Sequence, residues 1–267
     1  AIAYGNRGRV KVDLGDHKGA IADFTKVLEI DPDDAITYEN RGSSRGRSGD
    51  LKGSIVDFNK AIEINPQNAS AYYNRGSSKA RSRDYHGAIS DYTRAIEINP
   101  QNASAYNNRG YAKDALKDYQ GAIADYDQAI EIDPKNINAY SDRGFTRGKL
   151  GDYRGAISDF NHAIEIDPSK ASHYYLRGLA KGRSGDDKGA CADMSKAAKL
   201  GDKNAVQFLE KCSSFVTSLD SETHSALYYF DGGNAKTELE DYKGAIADYS
   251  KAIAINPQYA YAYYNRG

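Results

Sequence analysis

The stretch 103–136, ASAYNNRGYAKDALKDYQGAIADYDQAIEIDPKN, decides how the rest of the chain is read. It holds two helical patterns in 34 residues. Tyr106, Gly110 and the run Ala112–Leu116 belong to a first helix, and Ala122, Ile123, Tyr126, Ile130 and Ile132 recur at helical spacing in a second. Asp118 stands where its carboxylate can accept a bond from an unpaired N–H in the second helix's first turn. Pro134 ends that helix, because proline lacks the N–H and disfavours helix in the residue before it.

Outward from this stretch the pattern repeats. Pro32, Pro66, Pro100, Pro134 and Pro168 are spaced by 34 residues, as are Gly8, Gly42, Gly76, Gly110, Gly144 and Gly178. Tyr4, Tyr38, Tyr72, Tyr106, Tyr140 and Tyr174 keep the same interval. The equivalent caps are Asp16, Asp50, Asp84, Asp152, Asp186 and Asp241. Glycine within a helix costs about 0.5–1 kcal/mol relative to alanine. The reading is that Gly8 and Ala20 let the two helices cross closely, with Tyr4 and Phe24 filling the space around the crossing. A single hairpin cannot bury its apolar stripe, so such units must stack.

The residues Tyr106, Gly110, Tyr119, Ala122, Tyr126, Ala129 and Pro134 resemble the tetratricopeptide repeat family, and the resemblance covers nearly the whole chain. It departs in one place: Arg109 and its equivalents stand where the family usually has leucine. The resemblance implies an all-α, right-handed solenoid of antiparallel helix pairs in 34-residue units. The first helix of each pair then lines a concave groove that binds protein or peptide.

Six units are expected in 1–204, a capping helix over 205–212, a Ser/Thr-rich linker at 213–225, a seventh unit over 226–259 and the start of an eighth at 260–267. The chain opens at Ala1, and its one methionine is Met194, so it reads as a fragment or a processed chain. A repeat after a cap reads first as two arrays with the second cut short; the sharper alternative is head-to-tail self-association through the exposed end around Tyr261, Tyr263 and Tyr264.

Composition bounds the function. The formal net charge of −1 argues against a general nucleic-acid binder, although a basic row, Lys11, Arg45, Lys79, Lys113, Arg147, Lys181 and Lys236, keeps RNA as an outside reading. No apolar run approaches the ~20 residues of a membrane span. Cys191 and Cys212 read as reduced thiols of an intracellular chain, although both fall near the end of one helical array and could meet in space; His17, His86, His162, His173 and His224 have no metal-ligand spacing. No catalytic constellation, cofactor or metal site is expected. Asn68–Ser70 and Asn102–Ser104 are glycosylation-type triplets that also suit ordinary helix starts.

Two more rows bear on structure and binding. Arg41, Arg75, Arg109, Arg143 and Arg177 follow Asp23, Asp57, Asp91, Asp125 and Asp159 by one unit, and the expectation is that each Asp pairs with the next unit's Arg, stitching repeats together. The exceptions Gly232, Lys211 and Arg266 guide that choice. Asn6, Asn40, Asn74 and Asn108, continued by Asp142 and Leu176, resemble the asparagine ladder with which such arrays hold an extended peptide; asparagine also suits any wet helix face. Tyr73, Asn107, Tyr111, Ser141, Phe145 and Tyr175 vary between units near the ladder and are the candidate contact residues. The lysines of the family's two-carboxylate clamp are missing, with Gly5, Glu39, Tyr73, Ile36, Ser70 and Ser104 at the corresponding places. The leading reading is a non-enzymatic scaffold for an extended polypeptide. The alternatives are a targeting or regulatory repeat domain of a larger enzyme, or a self-assembling structural module.

Overall fold

The structure, a computed structural model, describes residues 1–208, 212, 229–230, 233–234, 236–237 and 241–257. Contacts divide the chain into Ala1–Asp186 and Asp187–Gly267. The linker at 213–225, the exceptions Lys211, Gly232 and Arg266, and the eighth unit at 260–267 lie outside the described residues.

The first division runs α1 (Ile2–Asp13), α2 (His17–Ile30), α3 (Ala35–Arg47), α4 (Leu51–Ile64), α5 (Ala69–Arg81), α6 (Tyr85–Ile98), α7 (Ala103–Ala115), α8 (Tyr119–Ile132), α9 (Ile137–Lys149), α10 (Tyr153–Ile166) and α11 (Ala171–Arg183). Each helix packs on the next. The odd-numbered helices also touch each other in succession, while the even-numbered ones make no comparable contact. The odd helices, the first of each pair, therefore form the inner row.

The local chemistry explains each boundary. Asp16, Asp50, Asp84, Asp118 and Asp152 cap the even helices, each accepting from the N–H of the glycine three residues on. Asp34, Asn68, Asn102 and Asn136 cap four of the odd helices in the same way. The two glycosylation-type triplets thus begin at caps, and the Asn68 amide also donates to Glu39 at 2.8 Å. Between the helices of a pair the chain turns through a left-handed residue, glycine at 15, 49 and 151 but Arg83 (φ 65°) and Lys117 (φ 66°) in units three and four.

The crossing within each pair is as tight as the sequence implied. A Cβ on Gly8 would sit 2.7 Å from the Phe24 ring, and one on Gly110 would sit 2.8 Å from Tyr126. Phe24, Phe58, Tyr92, Tyr126 and Phe160 are buried there, flanked by buried alanines such as Ala61, Ala95 and Ala129.

In the second division, α12 (Asp187–Lys199) is followed by a helix described at 203–208 and 212, and α13 (Tyr242–Ile255) closes the described chain with Asp241 as its cap. Cys191 and Cys212, expected as separate reduced thiols, are joined in a disulfide with Cα atoms 5.6 Å apart. The turn at Gly201 (φ 94°) folds the second helix back along α12, so residues 21 apart in sequence meet. The argument for a reducing compartment, which rested on free thiols, goes with this correction.

Candidate functional site

The charged ladder is an element of construction, and its pairing differs from the expectation. Arg7 binds Asp23, Arg41 binds Asp57, Arg75 binds Asp91, Arg109 binds Asp125 and Arg143 binds Asp159. Each pair lies within one unit, not between one unit's Asp and the next unit's Arg. The cause is the glycine crossing, which sets the arginine of the first helix directly over the aspartate of its own partner helix. Nε and Nη2 donate together to the two carboxylate oxygens, at 2.9 and 2.6 Å for Arg75.

The arginine does stitch repeats, but with its remaining arm. Nη1 reaches the residue two after the aspartate in the preceding unit: Arg41 to Thr25, Arg75 to Asn59, Arg109 to Thr93, Arg143 to Asp127 and Arg177 to Asn161, at 2.5–3.1 Å. The tyrosine three residues earlier lies against the same guanidinium, 5.3–5.5 Å from ring centre to Cζ. The second basic row is also spent inward. Lys11, Arg45, Lys79, Lys113 and Arg147 each reach the same aspartate at 2.8–2.9 Å, and Lys236 reaches Asp248 at 2.6 Å. Two cations converge on each buried carboxylate; the Arg7 hydrogen bond, with Lys11 beside it, holds the Asp23 carboxyl well below the usual carboxylate range.

The inner row carries the candidate binding residues, and they do not form one uniform ladder. Asn6 and Asn40 line an open niche of 340 Å³ between the first two units, where Arg9 donates to Asn6. Asn74 lines a second niche of 140 Å³ between α3 and α5. The Asn40 and Asn74 side chains make no hydrogen bond among the described residues. Asn108 is already engaged, its amide donating to the Tyr73 hydroxyl of the preceding unit at 3.0 Å.

Asn107, expected to be a contact residue, is buried, and it donates to Asp142 at 3.2 Å. Burial pushes the Asp142 carboxyl up, with only that one amide opposing the shift by hydrogen bonding. Ser141 likewise turns into the stack. Its hydroxyl donates to the Ile137 carbonyl, so it accepts from His173 Nε2 at 3.0 Å. Nδ1 of His173 is then bare and buried, and burial lowers the pKa of the ring. These variable residues pair across neighbouring units, a compensation that one unit's sequence does not display.

Tyr111 and Phe145 do stand out from the wall, at 52% and 49% exposure, and Tyr175 is half-buried on α11. Phe145 opens onto a third niche, of 230 Å³, between α9 and α11, where Leu176 holds the ladder position. Sequence reading placed Leu176 on the row but missed the recess beside it, whose floor comes from Ala156, Phe160 and Ala180. Among the described residues, no helix is long and apolar enough to cross a membrane.

Comparison with known proteins agrees with this architecture. Models described as tetratricopeptide repeat match residues 1–34, 73–137 and 115–181, and one described as TPR repeat matches 47–81 and 233–267. No curated protein matches the chain. Among solved structures, MamA is 31% identical with a TM-score of 0.58, over 62% of this chain and 96% of its own. YrrB, described as a TPR protein with an unusual peptide-binding site, is 23% identical with a TM-score of 0.59, over 70% of this chain and 97% of its own. A tetratricopeptide repeat protein from Parabacteroides merdae is 20% identical with a TM-score of 0.65, over 99% of this chain and 96% of its own; at that identity it speaks to the all-α superhelical repeat fold alone. From the paired helices, the 34-residue period and the models matched along its length, the chain belongs to the tetratricopeptide repeat family.

Proposed function

We propose that this protein-interaction repeat scaffold holds an extended polypeptide along its inner row of helices. The observation that carries the reading is the pair Asn40 and Asn74, one repeat apart, each with its amide uncommitted and opening onto a niche. A side-chain amide offers donor and acceptor together, the complement of a peptide backbone, and can grip one without selecting its side chains. The conserved geometry of the stack supports this use. Asp, Arg, Lys and Tyr are spent holding the units together, so binding falls to inner positions that vary. The description of YrrB as having a peptide-binding site agrees with the reading.

The test is capture of binding partners by the full chain and by an Asn40→Ala/Asn74→Ala variant. The variant should keep the melting temperature of the parent and retain partners at least tenfold more weakly. Equal retention would refute the role given to the asparagines.

A further inference from the structure

We infer that the inner wall selects an acidic segment anchored by one large apolar side chain, which enters the niche between α9 and α11. The inference rests on the groove reading and names what that groove selects.

Two niches at equivalent places carry it. Residues 43 and 145 differ by 102, three times the 34-residue period. The niche between α3 and α5 is polar: Ser54 and Ser78 are hydrogen-bonded across it at 2.9 Å, and Ser77 and Asn74 complete its wall. At the same positions in the later niche stand Ala156, Ala180, Leu179 and Leu176. Losing the serine pair removes those polar atoms from the wall, and the recess measures 230 Å³ against 140 Å³ for the polar niche. The Arg81 guanidinium leans over the polar niche and donates to the Gly46 carbonyl at 2.7 Å. Its counterpart Arg183 lines the apolar niche without that bond. A recess walled by leucine, alanine and phenylalanine is suited to one aliphatic or phenyl side chain.

The charge of the partner follows from a third basic row. Arg47 and Arg81 flank the polar niche, and Lys149 and Arg183 flank the apolar one. Arg81 is engaged by a carbonyl, and Lys149 by Asp114 at 2.5 Å. Arg47 and Arg183 have no carboxylate partner among the described residues. The cations of the two regular rows on α1 to α9 already hold aspartates, whereas Arg47 and Arg183 of the third row are available to carboxylates of a guest. An RNA strand fits less well, because the wall offers aliphatic side chains in place of a series of flat stacking faces, on a chain of net charge −1.

The experiment is fluorescence anisotropy with the full chain and labelled synthetic peptides: a glutamate-rich peptide with one central leucine, the same peptide with serine for leucine, a lysine-rich peptide with the leucine kept, and an oligouridylate. The leucine–glutamate peptide should bind at least tenfold more tightly than each of the others. A Leu176→Asn/Leu179→Ser/Ala180→Ser variant installs side chains that the fold already carries at 74, 77 and 78, and should lose the leucine preference about tenfold. An Arg47→Ala/Arg183→Ala variant should weaken the acidic peptides about tenfold and flatten their salt dependence. Equal binding of the leucine and serine peptides, tighter binding of the lysine peptide or oligouridylate, or no binding of the leucine–glutamate peptide would overturn the inference. Should Asn40→Ala/Asn74→Ala bind as the parent does while the niche variant loses its preference, the backbone-holding reading fails and the anchor stands.

Discussion

The most direct test of the stack's construction is a pair of double-mutant cycles that share Asp91. Asp91 is buried, takes two hydrogen bonds from Arg75 of its own unit and also contacts Lys79 at 2.8 Å. Removing one partner of a buried pair costs about 3–5 kcal/mol. Here Lys79 remains beside the carboxylate, and the Arg75 side chain keeps 16% of its exposure, so water can reach the cation if the anion is deleted. Arg75→Ala and Asp91→Ala should therefore each cost about 2–3 kcal/mol, below that range, with a coupling of about 2 kcal/mol between them. Arg109, the arginine of the next unit, is spent on Asp125 and Thr93. Its cycle with Asp91 should give a coupling within about 0.5 kcal/mol of zero, as for residues with no shared contact. Urea unfolding followed by far-UV circular dichroism, on the two single and one double variant of each cycle, supplies the energies. A coupling between Asp91 and Arg109 as large as that between Asp91 and Arg75 would refute the pairing within units.

The turn between paired helices offers a gain of stability. Arg83 and Lys117 adopt the left-handed conformation that glycine takes at 15, 49 and 151, so Arg83→Gly and Lys117→Gly should each stabilise by about 0.5–1 kcal/mol in the same assay. Helical glycines should split by their surroundings. Gly76→Ala drives a Cβ to 2.9 Å from the Tyr92 ring and 3.2 Å from Asp91 Cβ and should cost about 1–3 kcal/mol, whereas Gly148→Ala meets nothing within 4 Å and should gain about 0.5–1 kcal/mol. At Asp142 burial raises the folded-state pKa, so the stability due to its protonated form is present at low pH and is lost as pH rises through that value. Asp142→Asn should then melt higher than the parent at pH 7, with the gap closing below the ordinary carboxylate range. Opening the Cys191–Cys212 bridge, which spans 21 residues, should destabilise the second division by about 3 kcal/mol, seen as a lower urea midpoint after reduction and alkylation.

How far the sequence could be read depended on symmetry. The period, the Asp caps and the Gly–aromatic crossing each concern residues close together within one unit, and the helices follow from them. The ion pairs concern an offset between rows, and a periodic sequence is nearly silent about offset. Arg7 precedes Asp23 by 16 residues and Arg41 follows it by 18, so row spacing cannot choose between them. A distinguishing signal was present: Lys236 keeps its place twelve before Asp248 even though Gly232 has replaced the arginine, and the second cation is what the structure finds on that aspartate. The Asn107–Asp142 and Ser141–His173 contacts were hidden for a different reason. They join residues 35 and 32 apart that change together between units, so each looks like surface variation until its neighbour is seen beside it. The cysteines fall near the end of one helical array, where they could meet, but their spacing alone did not choose between free thiols and a bridge.

The same symmetry bears on why the inner wall can vary at all. In each of the first five units one aspartate gathers an arginine and a second basic side chain, and from the second unit onward that arginine also reaches back to the unit before. The crossing is thereby fixed through buried carboxylates whose arginine partners recur without exception from Arg41 to Arg143. The ladder positions change from asparagine at 40, 74 and 108 to aspartate at 142 and leucine at 176; Asn108 and Asp142 add hydrogen bonds to the unit before, whereas Asn40 and Asn74 make no side-chain hydrogen bond among the described residues and Leu176 has no polar side-chain atom to make one. If this separation holds, exchanging Leu176, Leu179 and Ala180 for the residues of unit three should move the binding preference and leave the melting temperature almost unchanged. Exchanging Arg75 for leucine, the residue more usual in the family at that place, should do the reverse. A melting temperature that follows the niche exchange, or a binding preference that follows the arginine exchange, would mean that packing and recognition share residues and that the division of labour argued for this repeat is false.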